Sequence, residues 1–519
     1  MGRHCTPTSG FTAILSAATL IGVFQAQAAF ADIAENQVLV VYNSAAGSDA
    51  TVLTDAYLAA HPGIPAENVL DLNDAALDVS DVSRSTFVSN VRDPIRSHLL
   101  LAGPPTPEGI VAIALIRPFP HRILDTDLPA AGDNPSQASS EANAGDATFA
   151  SLDADLVLLW QDLETGESGG QMDSLADNMI DNPYHGSAAD IGSFSRSAIQ
   201  TAKTFSIFSN FAYQIAGVGA TRLTPGDIYL VCRIDGNTLD DAVATIGRGD
   251  NLWINKAFGK ILLDEFDVTV GNELDDEGFG PFPTTDDYET TRTVLQASGW
   301  NVRYDDTADF ITSAEETDPL IAYASYGENH SQGGAGENPP GSGTYIQGFK
   351  FPVGAIFNTI ESYNARGLNG LGTLFNQEQA ADFIAEGGTF AVGHVWEPFA
   401  FSVPDNEFLL ANMLGGQMTW AEAAYTCLPA LSWQQVILGD PLAKPTIVTD
   451  PGLPQGDLDG DGSVNGLDIA WFVDLVLSGS AAYHSTFPML DPVARGDFDG
   501  DCAVTTDDVA PFVSALLGP

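Results

Sequence analysis

Near the C-terminus, a pattern of aspartates occurs twice, and no other feature restricts the fold as tightly. Asp457, Asp459, Asp461 and Asp468 recur forty residues on as Asp497, Asp499, Asp501 and Asp508. A twelve-residue calcium loop takes oxygen donors at positions 1, 3, 5, 7, 9 and 12, with glycine at the sharp turn in position 6. The first segment supplies Asp457, Asp459, Asp461, the Ser463 carbonyl, Asn465 and Asp468, with Gly462 at the turn. The second supplies Asp497, Asp499, Asp501, the Ala503 carbonyl, Thr505 and Asp508, but has Cys502 in place of the glycine. A side chain there costs on the order of 1 kcal/mol, so the second site is expected to be weaker. After each loop comes an apolar stripe at helical spacing: Ile469, Phe472, Val473 and Val476, then Val509, Phe512, Val513 and Leu516. Each unit therefore reads as a carboxylate loop plus one amphipathic helix, and the two stripes are expected to bury each other. Eleven aspartates lie between Asp457 and Asp508, with Arg495 as their one lysine or arginine neighbour, so bound calcium is expected to supply folding energy.

This duplicated pattern resembles a type I dockerin, over roughly residues 456–518. The resemblance implies an EF-hand-like, all-α calcium module, a place in polysaccharide catabolism by association, and a cohesin-like partner or another cell-surface protein. Dockerins of cellulase complexes carry a Ser-Thr pair at loop positions 10 and 11. Here those places hold Gly466-Leu467 and Thr506-Asp507. What carries over is a calcium-folded attachment module.

Charge narrows the partners. The 519 residues hold 69 Asp+Glu against 19 Lys+Arg, a formal charge of −50. Such a surface repels phosphate backbones and anionic lipid, which argues against nucleic acid and membrane surfaces. A hydrophobic fraction of 44% excludes wholesale disorder. Residues 1–31 read as a secretory signal peptide, with Arg3 and His4 ahead of an apolar run and small residues before Ala28 and Ala31. No later run reaches membrane-spanning length, so the expectation is a secreted, periplasmic or surface protein without a transmembrane anchor. Cys232, Cys427 and Cys502 remain, an odd number and too sparse for a disulfide scaffold.

Residues 38–445 alternate strand-like apolar runs with helical stretches. Strands are expected at 37–42, 68–72, 109–116, 228–234, 260–266, 320–326, 353–357 and 389–392. Helices are expected at 51–60, 85–101, 239–246 and 377–386. This alternation predicts an α/β domain with a mostly parallel central sheet and helices on both faces. Long polar insertions read at 126–150, 166–192, 271–287 and 327–348. Residues 446–456, with Pro451 and Pro454, read as an extended linker to the terminal module at 457–519.

The large domain resembles an uncharacterised family of exported bacterial proteins. The resemblance lies in VLVVYN from Val38, SR at Ser83, SLDADL from Ser151, RIDG from Arg233, and ALSW and LGDP from Ala430 and Leu438. More distantly, GGTFAVG from Gly387 and the LGDP tail resemble the gingipain-like cysteine peptidases, which implies a caspase-like, Rossmann-like sheet. The Cys–His dyad is lacking at the matching places. The strand at 320–326 runs into Gly327-Glu328-Asn329-His330, and that at 353–357 into Asn358-Thr359-Ile360-Glu361.

What remains is polar residues at strand ends, where open parallel sheets place ligands. The candidates are Glu328, His330, Asn358, Glu361, His394 and Glu397. His394 and Glu397 follow a strand directly and suit an acid–base pair, a metal ligand pair, or simple ordering of the rim. Asp153 and Asp155 read as helix caps or catalytic carboxylates, and Arg233 with Asp235 as a strand-end ion pair. Three functions follow: a non-catalytic α/β domain carried by a calcium module, a hydrolase of peptide or polysaccharide using the rim, and a structural spacer.

Overall fold

The computed structural model describes residues 32–124, 150–160, 180–186, 225–265, 287–307, 311–326, 346–368, 379–396, 403–431 and 433–517. Its centre is a ten-stranded sheet. The strands are β1 (Val38–Tyr42), β2 (Val69–Asp71), β3 (Ala112–Ile116), β4 (Leu230–Ile234), β5 (Lys260–Asp264), β6 (Val302–Asp305), β7 (Leu320–Ser325), β8 (Ile356–Thr359), β9 (Phe390–His394) and β10 (Gln435–Leu438). Their order across the sheet is β6-β5-β7-β8-β9-β10-β4-β3-β1-β2. The ladders on either side of β10 are parallel, with Val38 to Val41 of β1 beside Ala112 to Leu115 of β3. β10 runs antiparallel to β9 and meets β4 at a single bridge, Leu438 beside Arg233.

The mostly parallel sheet expected from the alternation is present. β3 and β4 are buried at every residue, which requires cover on both faces. The helix Ser48–Ala60 packs against Leu239–Gly249, and Asn406–Met413 packs against both Asp287–Ala297 and Trp420–Cys427.

Several local expectations shift. The strand placed at 353–357 begins at Ile356, because Pro352 lacks an N–H and Gly354 turns the chain with φ 90°. The helix expected at 85–101 spans Arg84 to Leu99, with a π segment at Phe87–Arg92. β6 and β10 were not anticipated. Asp153 and Asp155 do not cap the helix Leu152–Val157; Ser151 does, its Oγ accepting from Ala154 N at 2.9 Å.

The linker is not a free spacer. Thr446–Val448 forms a parallel strand on Trp253–Asn255, with Thr446 N donating to the Leu252 carbonyl at 2.8 Å. Beyond it, Asp450 forms an ion pair with Arg495 and accepts from Asp491 N at 3.0 Å. The terminal module then rests on the large domain through Trp253 stacked on His484 and Asn255 donating to Asp491 at 3.0 Å.

Within the module, the two expected helices are Asp468–Ser478 and Val509–Leu517. Two short helices between the repeats, Ser480–Thr486 and Pro492–Gly496, were not foreseen. Phe472 and Phe512 stack with centroids 4.1 Å apart, at the centre of a core that also holds Leu458, Leu475, Tyr483 and Leu490. The stripes do not bury each other completely. Ile469, Val473, Val509 and Val513 stay exposed, because the inter-repeat helices complete the core from the opposite side.

Candidate functional site

Both aspartate loops are held by the same hydrogen bonds. In the first, Asp457 accepts from Gly460 N at 2.9 Å and Gly462 N at 2.8 Å. Asp459 accepts from Asp461 N, and Asp461 from Ser463 N. Asp468 reaches back to close the loop, one oxygen on Leu458 N and Asp459 N and the other on Asn465 N. In the second loop Asp497 accepts from Gly500 N and Cys502 N, Asp499 from Asp501 N, and Asp501 from Ala503 N. Asp508 accepts from Phe498 N, Asp499 N and Thr505 N. Each carboxylate is thus oriented by backbone N–H groups, which lowers the entropy lost when its remaining lone pairs engage a ligand.

The donor set fits a hard divalent cation. Carboxylate oxygens of Asp457, Asp459 and Asp468 lie within 4.8 Å of one another, as do those of Asp497, Asp499 and Asp501. Gly462 takes the turn at φ 90°, and Cys502 is forced into the same left-handed region at φ 68°. Its thiol is buried, and burial pushes it up to about 12. Ser463 and Ala503 stand at position 7 and offer backbone carbonyls, whereas Asn465 and Thr505 spend a side-chain oxygen on Leu467 N and Asp507 N.

At the sheet rim, the structure describes three of the six polar candidates. His394 ends β9 and is fully buried; its Nδ1 lies 3.1 Å from the Glu361 carbonyl, and its Nε2 has no hydrogen-bond partner among the described residues. Burial pushes this imidazole down to about 4, so it is neutral at physiological pH. Asn358 donates to the Pro404 carbonyl and to Asn406, fixing the chain that enters the helix Asn406–Met413. Glu361 is buried beside His394. Glu328, His330 and Glu397 lie outside the described residues.

Sequence reasoning foresaw the Arg233–Asp235 pair but missed the stronger contact. Arg233 donates twice to Asp153, at 3.1 and 2.5 Å, and to the Phe119 and Pro120 carbonyls, while Asp235 stands 3.6 Å away. Burial lifts Asp235 to about 6, opposed by Arg233 and Arg117. Asp155 pairs with Arg84. Asp153 and Asp155 are therefore tied into buried ion pairs. Cys232 is buried in β4 with its thiol raised by burial, and the buried Cys427 Sγ donates to the Ala424 carbonyl at 3.0 Å.

No family model, curated protein or solved structure matches this chain. Among the described residues, no helix is long and apolar enough to cross a membrane.

Proposed function

We propose that the chain is an exported calcium-binding attachment protein, in which a dockerin-like terminal module binds two Ca2+ ions and the α/β domain is the non-catalytic body it carries. The observation that carries this reading is the same hydrogen-bond network repeated in both loops, each orienting carboxylates toward a common centre. In this reading Asp457, Asp459, Asp461, Ser463, Asn465 and Asp468 hold one ion, and Asp497, Asp499, Asp501, Ala503, Thr505 and Asp508 the other. Calcium supplies the positive charge that lets these aspartates sit together. The partner is a cohesin-like or other cell-surface protein, received on the exposed apolar faces of the paired helices. Those faces present Ile469, Val473 and Leu477 on one helix and Val509, Val513 and Leu517 on the other.

Calorimetric titration of the full chain with calcium is the test. Two binding events of unequal affinity are expected, with one lost in Asp461→Ala. Absence of calcium heat, or an unchanged isotherm in the variant, would overturn the reading. One observation favours a second reading, a rim hydrolase of peptide or polysaccharide using His394 and Glu397: the His394 Nε2 is buried without a partner. Its check is turnover of peptide and glycan libraries that disappears in His394→Ala and Glu397→Gln.

A further inference from the structure

The two aspartate loops repeat each other in sequence and in hydrogen bonding, but their surroundings differ. Position 4 is glycine in both, Gly460 and Gly500. A β-carbon at Gly460 would meet Leu490 of the module itself, 2.9 Å away. A β-carbon at Gly500 would meet a single atom within 4 Å beyond its chain neighbours, the Nζ of Lys350, at 3.1 Å. Lys350 belongs to the large domain, where its carbonyl accepts from Leu320 N at 2.8 Å at the start of β7. The turn position differs in the same way. Gly462 is exposed, with nothing within 4 Å of a β-carbon placed there. Cys502 is buried, and Lys350 is among the charged groups that act on its thiol. At both positions the second loop is turned toward the large domain and the first is not.

Lys350 is exposed and is in no ion pair among the described residues. Its contact at Gly500, one C–C bond and the spacing of consecutive α-carbons bound its ammonium within about 8.5 Å of the Asp499 and Asp501 α-carbons. That lies inside the Debye length of about 10 Å at 0.1 M salt, so the charge acts on whatever the loop holds. The loop offers four donor carboxylates, Asp497, Asp499, Asp501 and Asp508. Without a metal, the ammonium offsets part of their mutual repulsion. With Ca2+ among them, two like charges stand close together. The other contacts that seat the module, Trp253 on His484 and Asn255 on Asp491, come from the segment before this loop. Lys350 therefore meets the loop only while the module is seated.

We propose that Lys350 is a tethered cation that opposes calcium at the second loop, so that calcium bound there loosens the seat of the module on the large domain. The inference rests on the reading of both loops as calcium sites and adds a control to one of them. The coupling is reciprocal: the factor by which seating weakens calcium is the factor by which calcium weakens seating. Calcium still stabilises the folded module; what it weakens is the contact with the domain.

Calorimetric titration of the full chain in the Asp461→Ala background isolates the second loop, and the wild-type chain, whose weaker event belongs to that loop, is titrated in parallel. Lys350→Gln should raise the second-loop calcium affinity about threefold or more at low salt and leave the first loop unchanged. The gain should vanish near 1 M salt, where the Debye length is about 3 Å. Lys350→Arg, which keeps the charge, should keep the wild-type affinity. Lys444→Gln removes a lysine paired with Asp32 and should change neither loop. Tryptophan emission, taken as the difference between the chain and Trp253→Phe, should show calcium loosening the seat, and less so in Lys350→Gln. An unchanged second-loop affinity in Lys350→Gln, an equal gain in Lys444→Gln, or a gain that survives 1 M salt would overturn the inference and leave the calcium reading standing. No calcium heat in the parent chain would overturn both.

Discussion

Trp253 of the large domain and His484 of the terminal module stack with ring centroids 4.0 Å apart and 27° between their planes. Neither ring nitrogen of His484 has a hydrogen-bond partner, and the residue is buried. The module is therefore seated by a neutral imidazole lying on an indole.

That seat should respond to acid. Burial holds His484 down to about 4, below the ordinary imidazole value of about 6.5. A histidine kept neutral by folding contributes its full stability above its unfolded value and loses it as pH falls toward the folded one. Docking should accordingly weaken between pH 6.5 and 4, by on the order of 1 kcal/mol after solvent screening. Tryptophan emission of the chain, compared with Trp253→Phe, follows it across that range. His484→Phe should keep the stack and flatten the profile. An equally steep profile in that variant would assign the change to another group.

In the proposed reading, in which both loops take calcium, Cys502→Gly should narrow the gap between their affinities. The left-handed backbone at φ 68° costs a non-glycine residue about 1 kcal/mol, which glycine does not incur. An increase of up to about fivefold in the weaker affinity is expected by calorimetry. A decrease would mean that the buried thiol contributes more by packing than the backbone costs.

Arg233→Met should destabilise the large domain by about 3–5 kcal/mol, since it leaves Asp153 buried without its cation. Arg233→Met with Asp153→Leu should recover much of that loss. Chemical denaturation followed by far-UV circular dichroism reads both. A single variant as costly as the double would remove the pair from the account of stability.

Phe472→Ala and Phe512→Ala each open a cavity at the stacked pair and should cost about 3–5 kcal/mol. Beside the pair only Leu458, Leu475, Tyr483 and Leu490 of that core are buried, so in the proposed reading the module should unfold in either variant when calcium is chelated. Calorimetric scanning should still show the large-domain transition. Its loss along with the module's would mean that the two parts fold as one.

Legibility in the sequence followed how local the signal was. β1 and β3 are unbroken apolar runs, β4 is broken by Arg233 alone, and all three stand out directly, as do the aspartate loops, whose donors fall within twelve residues. β10 was hidden because it enters between β9 and β4, antiparallel to β9, an arrangement that alternation of strands and helices does not encode. Asp153 looked like a cap because its partner Arg233 lies on a strand 80 residues further along the chain. The His61–Asp440 contact joins residues 379 positions apart; Asp440 belongs to the LGDP motif, but nothing around His61 marks it as the partner. Exposure of Ile469 and Val473 likewise depended on helices inserted between the repeats.

The small strand Thr446–Val448 also changes the reach of the tail. An extended leash of the eleven residues 446–456 spans up to about 40 Å, whereas the part beyond Asp450 spans only about 20 Å. With the strand zipped to Trp253–Asn255, a module that lets go of the domain stays confined close to its own seat. Its effective concentration there is on the order of millimolar. An outside protein that needs the seated face must therefore compete with immediate recapture. One that grips the exposed Ile469 and Val513 side meets no such competition and draws the whole chain along on a short, stiff hold.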